Sequence, residues 1–376
     1  MKFFNTPFIA AFGLLWSSLI LNSGVATAAE PADDVWARRD AAVARAVEFL
    51  SKQQSAEGAF TPQAGCAVTA LVTAGLLQNG RTVDDPTVAK ALKNLEGFIQ
   101  PNGGIYAPGS NYTNYETCIA LQVFALANGD GRYKKALADG EKFVKGLQWD
   151  EGEGKDKSDV NYGGAGYGGE KSRPDLSNTV FLLDTLKACG KGADDEAVQK
   201  AIIFVSRCQN LETEFNTTQF STKNPDGGFF YTPAAGGSSA AGKTDQGGLR
   251  SYGAMTYAGL KSLIYAGVGP DDPRVKAAIQ WLKSNYAVDT NPGMGDAGLY
   301  YYFHSFAKCL DAMGEETFTD TAGTAHAWRQ ELAAELVKRQ NADGSWTNKN
   351  SRWMEGDPNL VTGYALMTLA YLKPAR

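Results

Sequence analysis

The strongest constraint on the fold of this chain is a pattern that recurs along it. Each copy is an amphipathic segment that ends in Gln, followed by a Gly-rich loop with an aromatic residue. The clearest copy runs from Gln340 through Gly344 to Trp346. Four further copies begin at Gln54, Gln100, Gln148 and Gln209. The segment 272–286 fits the same place in the series without the Gln. Such an internal repeat predicts stacked structural units rather than two unrelated domains.

After each loop comes a second segment that is smaller and more apolar. In one of them, Leu299, Phe303 and Phe306 recur at the spacing of one helix face. The six segments are 66–78, 115–127, 176–189, 252–266, 298–313 and 359–372. Strand patterns of period two are scarce, so we predict that the chain is almost entirely helical.

A helix pair with a period of about 45 residues cannot bury its apolar face alone, so neighbouring pairs must stack. Six outer and six inner helices can close into a ring with the more apolar helices inside. We therefore predict an all-α fold, an (α/α)6 toroid of six helix pairs. The two longest loops, 150–175 and 210–247, are expected on one rim of this ring.

The first 29 residues are typical of a secretory signal peptide. Lys2 is followed by a largely apolar run, 8–21, which is too short to cross a bilayer. Small residues then offer a cleavage site after Ala28 or Ala29. We expect an exported protein, periplasmic or extracellular. Residues 30–376 should form one toroid domain, with no transmembrane span in the mature chain.

Composition excludes several classes of protein. The chain carries 36 Lys and Arg against 41 Asp and Glu, with no dense basic block, so nucleic acid is not an expected partner. Hydrophobic residues make up 43%, which is too many for a disordered chain. The five cysteines are widely spaced without a C-x-x-C pair, which indicates buried apolar residues rather than a disulfide scaffold.

The Gln-x-x-x-Gly-x-aromatic pattern on paired helices resembles the repeat of the squalene cyclase and protein prenyltransferase superfamily. The resemblance implies a terpenoid cyclase-like toroid with a central pocket for an isoprenoid or another apolar ligand. It also implies that the repeat loops are structural, with the Gln side chain holding the amides of a helix start. Fold-level similarity does not transfer chemistry, so each functional position needs its own test.

The catalytic motifs of these relatives are missing. Class II terpene cyclases protonate an alkene or epoxide with the middle Asp of a D-x-D-D motif. Here the comparable stretch begins at Asp175 and places Ser177 at the donor position, and a hydroxyl is far too weak an acid for that step. Prenyltransferases bind zinc through an Asp-x-Cys pair and a later His. Arg250 and Tyr252 stand at the pair and His304 near the His, so no metal or other cofactor is expected.

The candidate site lies at the end of the toroid where the inner helices begin. Tyr301 and His304 are three residues apart and share a helix face, and with Asp357 they are the candidate catalytic residues. The candidate substrate-binding residues are Arg250, Tyr252, Asn178 and Trp353.

Three functions fit these residues. The first is binding of an isoprenoid, another apolar small molecule or a stacked glycan in the toroid pocket, with an uncharacterised catalytic role left open. The second is an eliminase acting on an acidic polysaccharide. In that case Tyr301 or His304 transfers the proton, while Arg250 and Asn178 neutralise the substrate carboxylate. The third is a non-catalytic interaction module of the cell envelope. The sequence does not determine the oligomeric state.

Overall fold

A computed structural model describes residues 32–168 and 172–373, and the predicted signal peptide lies outside them. The described residues contain twelve α-helices that alternate between an outer and an inner layer. The outer helices are α1 (Ala32–Gln53), α3 (Pro86–Glu96), α5 (Lys134–Lys145), α7 (Glu196–Arg207), α9 (Pro273–Ser284) and α11 (Trp328–Arg339). The inner helices are α2 (Ala67–Gln78), α4 (Thr113–Leu126), α6 (Leu176–Ala188), α8 (Gly253–Tyr265), α10 (Leu299–Met313) and α12 (Pro358–Tyr371). Every inner helix begins and ends within two residues of its predicted bounds.

The inner helices form a closed ring. Each packs on the next in the order α2, α4, α6, α8, α10 and α12, and α12 packs back on α2. Their burial explains their composition, since α2 buries every residue from Ala67 to Leu76. The outer helices bury only one stripe, which in α3 consists of Val88, Ala91, Leu92 and Leu95. The predicted (α/α)6 toroid is therefore confirmed.

The repeat Gln residues join neighbouring outer helices. The side-chain amide of Gln209 donates to the carbonyl of Gly227 in its own loop at 2.9 Å and to that of Arg274 in α9 at 2.8 Å. Gln340 bonds in the same way to Gly344 and to Ala42, and so links α11 to α1 and closes the outer layer. The prediction that this Gln holds helix amides was wrong, because it donates to carbonyl oxygens instead.

Close backbone packing explains the glycine of the repeat. Gly344 has a φ of +91°, and a Cβ at this position would lie 2.5 Å from the Arg45 carbonyl oxygen of α1. The aromatic residue that follows, Trp346, is fully buried and donates its indole N–H to the Leu336 carbonyl at 2.8 Å. The repeat loops therefore have a structural role in the outer layer.

A small hairpin contacts the one outer segment, 272–286, in which the repeat lacks its Gln. Strands β1 (Phe318–Thr319) and β2 (Ala325–His326) pair antiparallel between α10 and α11. The amide of Thr321 at its turn donates to the carbonyl of Lys283 in α9 at 3.2 Å. The hairpin thus supplies a contact with α9 in the fifth pair.

The five cysteines all lie in the described part of the chain and are free thiols. Four of them are buried, as the apolar patterns around them predict, and Cys189 is half-buried. Among the helices of the described residues, none is both long and apolar enough to cross a membrane.

Candidate functional site

A cavity of about 1040 Å³ opens at the end of the toroid where the inner helices begin. All six inner helices or the residues just before them contribute to its wall. Both long loops reach it as well, through Tyr167 and Arg173 from one and Tyr231 and Ser239 from the other. We call it the upper cavity. Its position is the one predicted from the topology of the ring.

Four aromatic side chains form the floor of the upper cavity. The rings of Tyr115 and Phe181 meet edge to face at 5.0 Å, and the ring of Tyr301 lies 6.3 Å from Phe181 and 6.0 Å from Tyr364. Phe181, Tyr301 and Tyr364 also line a second, smaller cavity beneath. Aromatic pairs at these distances stabilise one another, so the floor is an interlocked layer contributed by four different inner helices.

The side wall is also rich in aromatic residues. Tyr112, Tyr167, Tyr231, Tyr252 and Trp353 surround the space above the floor. Burial raises the pKa of Tyr252 well above its ordinary value, so this phenol remains protonated and can donate a hydrogen bond. The wall therefore combines apolar ring faces with hydroxyl groups at fixed places.

Two carboxylates at the upper cavity hold the surrounding backbone. Glu355 accepts the amides of Tyr300 and Tyr301 at 2.9 and 3.0 Å, at the start of α10. Glu116 accepts the amide of Ala107 at 2.8 Å and the hydroxyl of Ser110 at 3.1 Å. Burial raises the pKa of both carboxyl groups. Their oxygens are thus engaged in positioning the loops and helix ends that shape the wall.

Two exposed residues with strained backbone conformations lie at the mouth of the upper cavity. Trp353 and Met354 have φ angles of 56° and 63°, in a region that bulky residues rarely adopt. The Trp353 side chain is 48% exposed, and the guanidinium of Arg352 lies 4.1 Å from its ring centre. Arg173 is the second exposed cation in the lining. An apolar ring and two positive charges therefore border the opening.

The structure brings three of the candidate residues together. Tyr301, Tyr252 and Trp353 all line the upper cavity. The Tyr301 hydroxyl lies 3.2 Å from that of Ser177, and burial raises the pKa of the Tyr301 phenol. Ser177 stands at the position that corresponds to the proton donor of the D-x-D-D motif, and it lines the cavity together with Tyr301.

Three other candidates do not line the upper cavity. Arg250 is exposed and donates to the carbonyl of Lys243 at 3.0 Å. Asn178 is buried, and its amide group donates to the Asp175 carboxylate at 2.8 Å. Asp357 is the N-cap of α12, where it accepts the amide of Leu360 at 2.9 Å. Local hydrogen bonds to the backbone or to a neighbouring side chain therefore account for all three.

His304 lies beneath the floor. It lines the smaller second cavity, of about 20 Å³, which we call the lower cavity. Burial, reinforced by the positive charges of Lys308 and Lys261, lowers the pKa of His304 to about 3, so its imidazole is neutral near pH 7. The predicted eliminase requires Arg250, Tyr301 and His304 around one open cleft, and the structure does not bring these three residues together.

A buried carboxyl group lies next to the wall without lining it. Asp175 caps α6, and burial raises its pKa to about 6, although Asn178 and the Tyr231 hydroxyl stabilise the charged form. Sequence reasoning identified the cap, whereas Tyr231 and the floor residues Tyr115 and Tyr364 were missed. In a helix with an apolar pattern, an aromatic residue that faces a cavity recurs at the same sequence spacing as one that faces the core, so the sequence does not distinguish the two.

The described residues contain no group of three or more His, Cys, Asp or Glu side chains placed to hold a metal ion. The upper cavity is therefore characterised by its aromatic surface, its hydroxyl groups and the two arginines at its mouth.

No protein-family pattern matches the sequence, and no curated protein is significantly similar to it. Solved structures do match. A variant of the type II terpene cyclase MstE from Scytonema, in complex with geranylgeranyl dihydroxybenzoate, aligns over 91% of this chain and 98% of its own, with 16% identity and a TM-score of 0.54. The chain has the terpenoid cyclase-like fold. Apo MstE aligns over 89% of this chain and 98% of its own, at 16% identity and a TM-score of 0.51. A protein from Actinoplanes aligns over 89% of this chain and 99% of its own, also with 16% identity and a TM-score of 0.51.

Proposed function

We propose that this protein binds an isoprenoid or another elongated apolar small molecule in the upper cavity. The observation that carries the proposal is the cavity itself, with a volume of about 1040 Å³ and aromatic rings on its floor and wall. Small-molecule sites in proteins are typically concave, apolar and of about 300–1,000 Å³, with a few polar groups that orient the ligand. A cyclase of the same fold holds geranylgeranyl dihydroxybenzoate, which supports a ligand of this class.

Binding suits the polar groups better than cyclisation started by protonation of an alkene. Ser177 offers only a hydroxyl at the cavity, which is too weak an acid. Glu116 and Glu355 accept backbone amides, and their raised pKa values make them weaker acids than ordinary carboxyl groups. The hydroxyl groups of the wall can instead orient a polar end of the ligand, while Arg352 stacks on Trp353 at the mouth.

We further propose that the chain is exported and that cleavage after Ala28 or Ala29 releases one toroid domain. The apolar run and small residues of the first 29 positions support this. N-terminal sequencing of the protein recovered outside the cytoplasm should begin at residue 29 or 30. An N-terminus at Met1 would contradict the proposal.

Titration with geranylgeraniol tests the binding proposal. Wild-type protein should show saturable quenching of tryptophan fluorescence, because Trp353 stands at the mouth, and calorimetry should give the same dissociation constant. Ser177→Phe places a ring in the cavity and should weaken binding at least about tenfold, as expected for loss of one well-packed contact. Ser51→Phe, at an exposed position of α1, is the matched control and should bind like wild type. Absence of saturable binding to the wild type, or unchanged binding to Ser177→Phe, would contradict the proposal.

A further inference from the structure

The lower cavity lies inside the ring, below the aromatic floor. Its volume of about 20 Å³ is little more than the space that one water molecule needs. Phe181, Tyr301 and Tyr364 separate it from the upper cavity. Apart from the tyrosines Tyr301 and Tyr364, its polar lining consists of Gln122, Asp184, Lys261, His304, Ser305 and Lys308. Nothing in the proposed function of the upper cavity uses these groups.

The charges around the lower cavity do not balance. Lys261 contacts the two carboxylate oxygens of Asp184 at 2.5 and 2.7 Å, and Lys308 contacts the same carboxylate at 2.8 Å. The Lys261 side chain is only 3% exposed and that of Lys308 12%. Two ammonium groups therefore share one carboxylate in a nearly water-free interior. Burial and the charge of Lys308 lower the pKa of Lys261 to about 8, so its ammonium group is still mostly charged near pH 7 but at an energetic cost. A second negative charge at this place would remove that cost.

Neighbouring charged groups do not supply that negative charge. Lys187 adds a further positive charge to the region without lining the cavity. Burial lowers the pKa of Lys187 and the charge of Asp311 partly offsets this shift, but the Asp311 carboxylate already pairs with the Arg329 guanidinium at 3.0 Å. The positive excess at Asp184 therefore persists when the surrounding charges are included.

The cavity also contains a hydrogen-bonding group without a partner. His304 is 7% exposed, and its Nδ1 has no hydrogen-bond partner among the described residues. A neutral imidazole carries one N–H, and Ser305 contributes a hydroxyl from the same helix. Together with Lys261 and Lys308, these residues of α8 and α10 place four hydrogen-bonding side chains around a space of monatomic size.

We propose that the lower cavity is a binding site for one monovalent halide ion, chloride in a physiological setting. The volume excludes phosphate, sulfate and carboxylate ligands, which need several times the space of a water molecule. A single halide accepts hydrogen bonds from the ammonium, hydroxyl and imidazole groups and neutralises the excess charge. A water molecule satisfies the hydrogen bonds but leaves the charge uncompensated, and this difference is what an experiment can measure.

The test compares chloride with gluconate at constant ionic strength, using protein prepared in gluconate. The melting temperature of the wild type should rise saturably with sodium chloride, by about 3 °C at tenfold excess over the dissociation constant, and should not rise with gluconate. Crystals grown in sodium bromide should show an anomalous-scattering peak beside Lys308. Equal melting temperatures in the two salts together with no bromide peak would overturn the proposal in favour of water.

Variants locate the effect in this cavity. Lys308→Met removes the excess charge and should abolish the chloride dependence, whereas Lys187→Met, at a nearby lysine outside the lining, should retain it. Ser305→Ala keeps every charge and should weaken chloride binding about tenfold, which provides a second test if Lys308→Met does not fold. A chloride dependence that survives in both lining variants would contradict the assignment. Geranylgeraniol binding is measured separately, so either proposal can fail without the other.

Discussion

Replacing Gln209 with Met tests whether the repeat Gln residues hold the outer helices together. The side chain is fully buried and donates to two carbonyl oxygens, those of Gly227 and Arg274. Methionine has nearly the same shape but no donor, so the change leaves two buried acceptors with fewer partners and creates little empty space. Each buried acceptor that loses its partner costs about 1–3 kcal/mol, or about 2–6 kcal/mol for the two. Part of this is offset because the side-chain oxygen Oε1 of Gln209 has no hydrogen-bond partner among the described residues.

We therefore expect Gln209→Met to lower the free energy of unfolding by about 2–4 kcal/mol. Urea unfolding followed by circular dichroism measures the change. Gln280→Met is the matched control, since Gln280 is exposed on α9, and it should stay within about 0.5 kcal/mol of wild type. Gln340→Met should lie between the two, because that Gln makes the corresponding bonds at a half-buried position. If Gln209→Met unfolds at the same urea concentration as the control, the repeat does not act through these hydrogen bonds.

Four further outcomes are expected. Burial raises the folded-state pKa of Asp175 to about 6, so the wild type should lose stability as pH rises from about 4 to 6, and Asp175→Asn should remove that loss. Asp195 should contribute a pH dependence of the opposite sign, because Lys145 lowers the pKa of that carboxyl despite its burial. The wild type should therefore lose stability as pH falls below about 4, and Asp195→Asn should remove that loss in a urea denaturation series. Iodoacetamide followed by mass spectrometry should modify Cys189 first, since the other four thiols are fully enclosed; uniform labelling of the native protein would contradict this. Tyr301→Phe removes one hydrogen bond to Ser177 and should keep the melting temperature within about 3 °C while weakening geranylgeraniol binding; a larger thermal loss would mean that the hydroxyl is structural.

The helical architecture could be predicted from the sequence because the burial of each helix produces a simple pattern of apolar residues. Inner helices such as α2 are enclosed on every side and read as continuous apolar segments, whereas outer helices such as α3 bury one stripe. Acidic caps mark several helix starts, as at Asp85 and Asp272. Ring closure followed from the number of pairs.

The site was only partly accessible, because spacing along a helix does not identify what lies across the ring. Tyr301 and His304 share a helix face, yet the aromatic floor places His304 beneath the upper cavity. Asp357 and Asn178 have the composition of a polar site, but each is engaged in a helix cap or with its capping residue. Arg250 precedes an inner helix by only three positions, and its exposed loop carries the side chain away from the lining.

The charge imbalance in the lower cavity illustrates the same limit. Asp184, Lys261 and Lys308 lie on three different inner helices, and each occupies a position in an otherwise apolar pattern. Only the folded ring brings the two ammonium groups within 3 Å of the Asp184 carboxylate. Long-range polar clusters of this kind depend on the register between neighbouring helices, which hydrophobic periodicity does not specify.

Native mass spectrometry of the protein purified from its own host tests the central claim most directly. Under gentle ionisation, the wild type should carry a co-purifying apolar molecule whose mass fits an isoprenoid. Ser177→Phe should lose it and Ser51→Phe should keep it. A wild-type protein that shows only its own mass, and that also fails to bind added geranylgeraniol, would contradict the assignment of the upper cavity as an isoprenoid site.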